Sequence, residues 1–136
     1  MDTPFTDRLL AATNAHDVDR IVACFSGDYV NETPCHPARG FAGRDQVRAN
    51  WTTILGAVPD LRAEVRAAAT APGLEWSEWE MRGTRRDGSA HLMRGVLVFT
   101  VSSEVATGCR FFLEPVDDAP TTIDAAVAQH LGSGPG

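Results

Sequence analysis

The stretch NETPCHP, residues 31–37, sets Asn31, Glu32, Thr33, Cys35 and His36 side by side. An acid, a thiol and an imidazole so close together suit either metal ligation or proton transfer. Metal ligation fails on spacing. Cys35 and His36 are adjacent, and neighbours in an extended segment point apart. No second Cys and His cluster exists to complete four ligands, so no metal is expected. Proton transfer leaves His36 as the candidate, with Tyr29 and Asn31 beside it. A second set lies further on: Glu78, Glu80, Arg94, Arg110 and Glu114. Facing a ligand, Glu78, Arg94 and Glu114 could act as acid, base and anion stabiliser. Facing away, they form a cross-strand ladder worth roughly 0.2–1 kcal/mol per pair, or a polar dimer interface.

These residues need elements to position them. Phe5, Leu9, Leu10 and Thr13 recur at helical spacing over 4–14. Asp17 can cap a second helix over 18–26, which Gly27 stops. Residues 28–33 read as a strand, and the two prolines that follow imply a loop through Gly43. Val47, Trp51, Ile54, Leu55 and Val58 restore a 3.6 period over 44–58. From Leu61 the period becomes two. Leu61, Ala63, Val65 and Ala67 alternate with Arg62, Glu64 and Arg66. Further strands are expected over 74–86, 91–101 and 107–114. Asp87-Gly88 supplies a tight turn with both residues at positive φ. Thr121 or Thr122 can cap a closing helix from Ile123 to Leu131. Helices first and an antiparallel meander after them define an α+β fold. One domain spans 1–131, and 132–136 is a flexible tail.

Alternation sorts the strand residues by face. Trp79 and Met81 oppose Glu78 and Glu80; Met93, Leu97 and Phe99 oppose Arg94; Phe111 and Leu113 oppose Arg110 and Glu114. The apolar set is expected to line a pocket. Tyr29, Asn31 and Thr33 share one face of their strand, and Trp51 lies on the apolar stripe of its helix. His91 stands near a strand end, which suits a solvated rim.

The chain has 136 residues, 43% of them hydrophobic and 22% charged, with a net charge of −6. Its basic residues form no stripe, so nucleic acid is not an expected partner. No apolar run approaches the roughly 18 residues of a membrane span. Without a signal-like start, a cytoplasmic protein is expected. Cys24, Cys35 and Cys109 are then free thiols, with Cys24 and Cys109 in the core. All basic residues are arginine, which excludes a lysine Schiff base. There is no dinucleotide fingerprint and no phosphate-cradling loop.

AHDVDRIVACF, a strand with its proline loop, GRDQVRANW and VPDLRAEV together resemble the SnoaL-like branch of the NTF2-like superfamily. WEMRGTRRDG, MRGVLVF and RFFLEPVD are similar to strand signatures of its actinobacterial members. The resemblance covers about residues 5–117. It implies a cone, with helices closing over the concave face of a strongly curved, mainly antiparallel sheet that encloses a pocket. It also implies a homodimer through the outer sheet face, one small apolar ligand, and no cofactor. Ketosteroid isomerases of this fold hold a general-base aspartate where Thr33 stands, and a proton-donating acid near Gly95. Both carboxyls are missing here. Related epoxide hydrolases use an Asp-Arg-Asp set; Arg94 is present, but Val96 stands where an aspartate is needed. SnoaL-type cyclases use an acid near Glu114.

The expected function is cofactor-independent acid/base chemistry on an apolar, polyketide-like intermediate: cyclisation, isomerisation, dehydration or epoxide opening. Non-catalytic ligand binding or a scaffold on the same fold is the alternative.

Overall fold

A computed structural model of the chain describes residues 2–132. Four helices and six strands follow in the order α1 (Pro4–Asn14), α2 (Val18–Ala23), β1 (Phe25–Glu32), β2 (Phe41–Ala42), α3 (Arg44–Ala57), β3 (Arg62–Ala71), β4 (Leu74–Thr84), β5 (Ala90–Ser102), β6 (Val105–Pro115) and α4 (Ile123–His130). The strands form one sheet in the order β2-β1-β6-β5-β4-β3. β3 to β6 are an antiparallel meander, and β1 pairs in parallel with β6. This is the α+β architecture of an NTF2-like cone, with the helices over the concave face of a curved sheet. Most of the expected tail, from residue 133, lies outside the described residues.

The core sits between helices and sheet. Phe5, Leu9 and Ala12 of α1 are buried, and the Phe5 ring lies 4.8 Å from that of Phe99 on β5. Phe25 and Tyr29 of β1 join the aromatic cluster edge to face, 4.7 Å apart. Two local ties set the helices. Asp17 accepts from the Arg20 N–H as the cap of α2. Glu75 of β4 accepts the N–H groups of Phe5 and Thr6 and the Thr6 hydroxyl, filling donors that the first turn of α1 leaves open.

Several expected boundaries move. Helix α2 stops at Ala23, and Phe25 opens β1, because its ring packs against Phe5, Tyr29 and Phe99. The proline loop contains a short 3-10 turn, Pro37–Arg39, and the two-residue strand β2 beside β1. Ala67 leaves the inner face: the ladder shifts between Val65 and Ala67, and Ala67 is exposed. At the β4–β5 hairpin Gly88 alone has positive φ, while the Asp87 side chain accepts from the N–H and hydroxyl of Ser89. The tight turn with both residues left-handed is Ser103-Glu104, between the paired Ser102 and Val105.

Candidate functional site

A cavity of about 480 Å³ lies between the helices and the concave sheet face. Each wall strand contributes through its period of two. β4 brings Trp79 and Met81, β5 brings Met93, Leu97 and Phe99, and β6 brings Phe111 and Leu113. Trp51 and Ile54 of α3 are half-buried against it. Trp79 is fully buried, and its indole N–H donates to Ser77 Oγ at 2.7 Å. Such a volume suits one small molecule, and the walls are mostly hydrocarbon and aromatic.

Polar groups on this surface are few. Tyr29, Asn31 and Thr33 are all buried on the inner face of β1 and at its end. The Tyr29 hydroxyl donates to Asn31 Oδ1 at 2.9 Å, and Asn31 Nδ2 donates to Thr33 Oγ1 at 3.4 Å. Cys109 of β6 meets the same tyrosine, and burial raises its thiol pKa to about 12. Burial pushes the Tyr29 phenol upward too. His91, Arg39, Asn50, Thr13 and Thr53 also line the cavity. Desolvation, helped by Arg85, lowers His91 below its ordinary 6.5, so the imidazole is neutral at neutral pH.

The charged candidates stand elsewhere. Glu78, Arg94 and Glu114 are on the convex face and do not line the cavity, because each follows or precedes an inward residue by one. Glu80 is the surprise among them. Its side chain has no solvent exposure, enclosed by Arg66, Arg82 and Arg94, with Arg94 Nε at 2.7 Å. Hydrogen bonds from Arg82 first and then Arg94 hold its pKa below the usual 4.5. Glu114 turns toward the loop after β1. His36 Nε2 lies 3.0 Å from its Oε1, and Arg39 Nη1 lies 3.6 Å from its Oε2. His36 itself is outside the cavity lining, yet Arg39, three residues on, is part of it. Gly95 explains the acid missing from β5. A Cβ there would sit 2.0 Å from the Phe112 carbonyl oxygen, so no side chain fits. A second depression, about 510 Å³, lies between Asp60, Arg62, Arg82, His91, Leu92 and Arg94; it is a more open surface groove.

Sequence reasoning missed Arg39 and Cys109 as cavity residues, and the anchoring role of Glu75. Cys109 shares the inner face with Phe111 and Leu113, so alternation alone carried its signal. Arg39 sits in a 3-10 turn, where no period exists to read.

This chain belongs to the SnoaL-like domain family, whose model matches residues 6–106. No curated protein matches it. Solved structures share the fold. A hypothetical protein with a ketosteroid isomerase-like fold from Catenulispora acidiphila, in complex with trimethylamine, superposes with a TM-score of 0.71 at 11% identity, over 82% of this chain and 87% of its own. SalBIII, an epoxide hydrolase/cyclase-like enzyme in pyran ring formation in the polyether salinomycin, gives 0.70 at 17%, over 82% and 88%. RV0760c from Mycobacterium tuberculosis, in complex with estradiol-17beta-hemisuccinate, gives 0.68 at 18%, over 87% and 96%. At these identities the likeness is one of fold. The family and fold define a SnoaL-like protein of the NTF2-like superfamily. Among the described residues no helix is long and apolar enough to cross a membrane.

Proposed function

We propose that this protein holds one largely apolar organic molecule, of the polyketide-like or secondary-metabolite class, and moves protons on it without a cofactor. The observation that carries the reading is the 480 Å³ cavity, walled by Trp79, Met81, Phe99 and Phe111 and interrupted by only a few polar groups. Two titratable groups stand where they could serve. His91 is a neutral base on the cavity surface. The His36–Glu114 pair, 3.0 Å apart, reaches the cavity through Arg39, which contacts Glu114. Glu78 and Arg94 have no part in this scheme, since both face outward. The fold likeness to SalBIII and to the steroid-bound RV0760c is consistent with a bulky apolar ligand and with cyclisation, isomerisation, dehydration or epoxide opening as the reaction type.

One observation favours a second reading. Among the described residues no carboxylate lines the cavity, which suits a non-catalytic binder. Native mass spectrometry of protein from its producing cells, followed by turnover of the retained compound, separates the two. Turnover that falls with His91→Asn, His36→Ala or Glu114→Gln supports the enzyme. A retained compound that wild-type protein never converts supports the binder, and unchanged turnover in all three variants removes the residue assignment. In this proposal the protein is cytoplasmic and one domain. It pairs as a homodimer through the convex sheet face, where Val30, Trp76 and Phe112 are exposed.

A further inference from the structure

Cavity shape leaves open which functional group is recognised. The polar atoms answer it through the direction of their hydrogen bonds. Tyr29 donates to Asn31, and Asn31 donates to Thr33, so each step passes the donor role along the row toward the end of β1. An amide nitrogen carries two hydrogens and a hydroxyl one. Only one Asn31 hydrogen is used. Among the described residues no group accepts the Thr33 hydroxyl proton or the second Asn31 proton. Both side chains are buried, at 6% and 5% exposure, and both line the cavity. The Asn31–Thr33 bond is long at 3.4 Å, so it gives up little when a better partner arrives. Two buried donors beside an apolar space form a set that an oxygen acceptor completes.

The acceptor is a neutral one. A carboxylate placed here would need a cation to offset its desolvation. The row contains none, and Arg39 at the cavity surface is already shared with Glu114. An alcohol could accept, but its own proton would have to crowd onto Asn31 Oδ1 or Thr33 Oγ1, each of which already accepts one bond. A carbonyl oxygen accepts twice and donates nothing. Resting on the reading of the cavity as a small-molecule site, we propose that Asn31 and Thr33 are its specificity-determining donor pair, and that the ligand is a neutral ketone, ester or lactone whose carbonyl oxygen meets them while its hydrocarbon body lies against Trp79 and Phe99. The position that holds a proton-accepting carboxylate in related isomerases thereby becomes a proton-sharing donor.

Four naphthalene probes test this: 2-acetylnaphthalene, 2-ethylnaphthalene, 2-naphthoate and 1-(2-naphthyl)ethanol, with binding read from tryptophan fluorescence. The ketone should bind about three- to tenfold more tightly than the hydrocarbon, the worth of one net hydrogen bond, and more tightly than acid or alcohol. Its carbonyl infrared band should move to lower frequency on binding. Thr33→Val, which keeps the side-chain shape, should bring the ketone-to-hydrocarbon ratio toward one and return the band toward its value in hexane. Thr33→Ser should restore both. Equal binding of ketone and hydrocarbon, preference for the acid or alcohol, or an unmoved band overturns the donor pair while leaving the cavity reading intact. If neither ketone nor hydrocarbon binds, the small-molecule reading fails and takes this inference with it.

Discussion

Glu75 on β4 accepts the backbone N–H of Thr6 at 2.9 Å and its hydroxyl at 2.7 Å, binding the first turn of α1 to the sheet. The glutamate is 5% exposed and Thr6 fully buried. Glu75→Ala strands those donors away from water, and the expected loss is about 3 kcal/mol. Glu75→Gln, which keeps one acceptor oxygen, should lose less. Urea unfolding of both variants checks this; a loss below about 1 kcal/mol for the alanine variant would show that water or another group replaces the carboxyl.

Glu80 should govern part of the acid limb of stability. Arg82 and Arg94 depress its folded pKa, so the folded state takes up this proton at lower pH than the unfolded chain, whose glutamate titrates near 4.5. Its contribution is therefore complete above 4.5 and disappears as pH falls through the depressed folded value. Glu80→Gln should flatten that limb. Asp60, through the Thr84 N–H, and Asp87, through the Ser89 hydroxyl and then its N–H, also titrate low. The difference between wild type and variant across pH is thus the measurement, and a difference that stays constant below 4.5 refutes the assignment.

His91 works at a higher pH. Burial lowers its folded pKa beneath 6.5, so the unfolded chain protonates first as pH falls. Stability should decline from about 6.5 down to the folded value and level off beneath it. His91→Gln, which cannot titrate, should lack this step. Thermal midpoints at closely spaced pH values will show the step or its absence.

Gly95 is expected to tolerate no side chain. An added Cβ would lie 2.0 Å from the Phe112 oxygen and 2.7 Å from Leu113 Cα, both backbone, and the residue sits at φ +155. Gly95→Ala should cost at least about 2 kcal/mol by forcing β5 from β6. A guanidinium unfolding midpoint equal to wild type would mean that the two strands part freely.

Local periodicity made the sheet legible. Leu97 and Phe99 point inward and Arg94 outward because side chains alternate along any strand. What stayed hidden depends on partners far away in the chain. Phe25 looks like the end of a helical stripe until Phe5 and Phe99 surround it. Ala67 looks inward until the ladder with β4 shifts ahead of it. A turn over residues 102–104 is legible in the sequence, but not that Ser103 and Glu104 both adopt positive φ there. Glu80 reads as a solvated ladder member, and only the arginines gathered around it remove it from water. In the site, the expected wall residues follow from alternation, whereas Arg39 follows from a loop conformation that no pattern encodes.

The parallel ladder in which Asn31 stands opposite Cys109 has a consequence for how the molecule is made. The cavity wall joins an early strand to the last one, across most of the chain. Closing so long a loop is slow, and its entropy is lost before any contact rewards it. On the ribosome, Phe25 and Tyr29 lack their sheet neighbours until β5 and β6 emerge. The site is therefore incomplete until β6 has been made, and an interrupted chain exposes part of its aromatic lining to chaperones or to aggregation before it can meet a ligand.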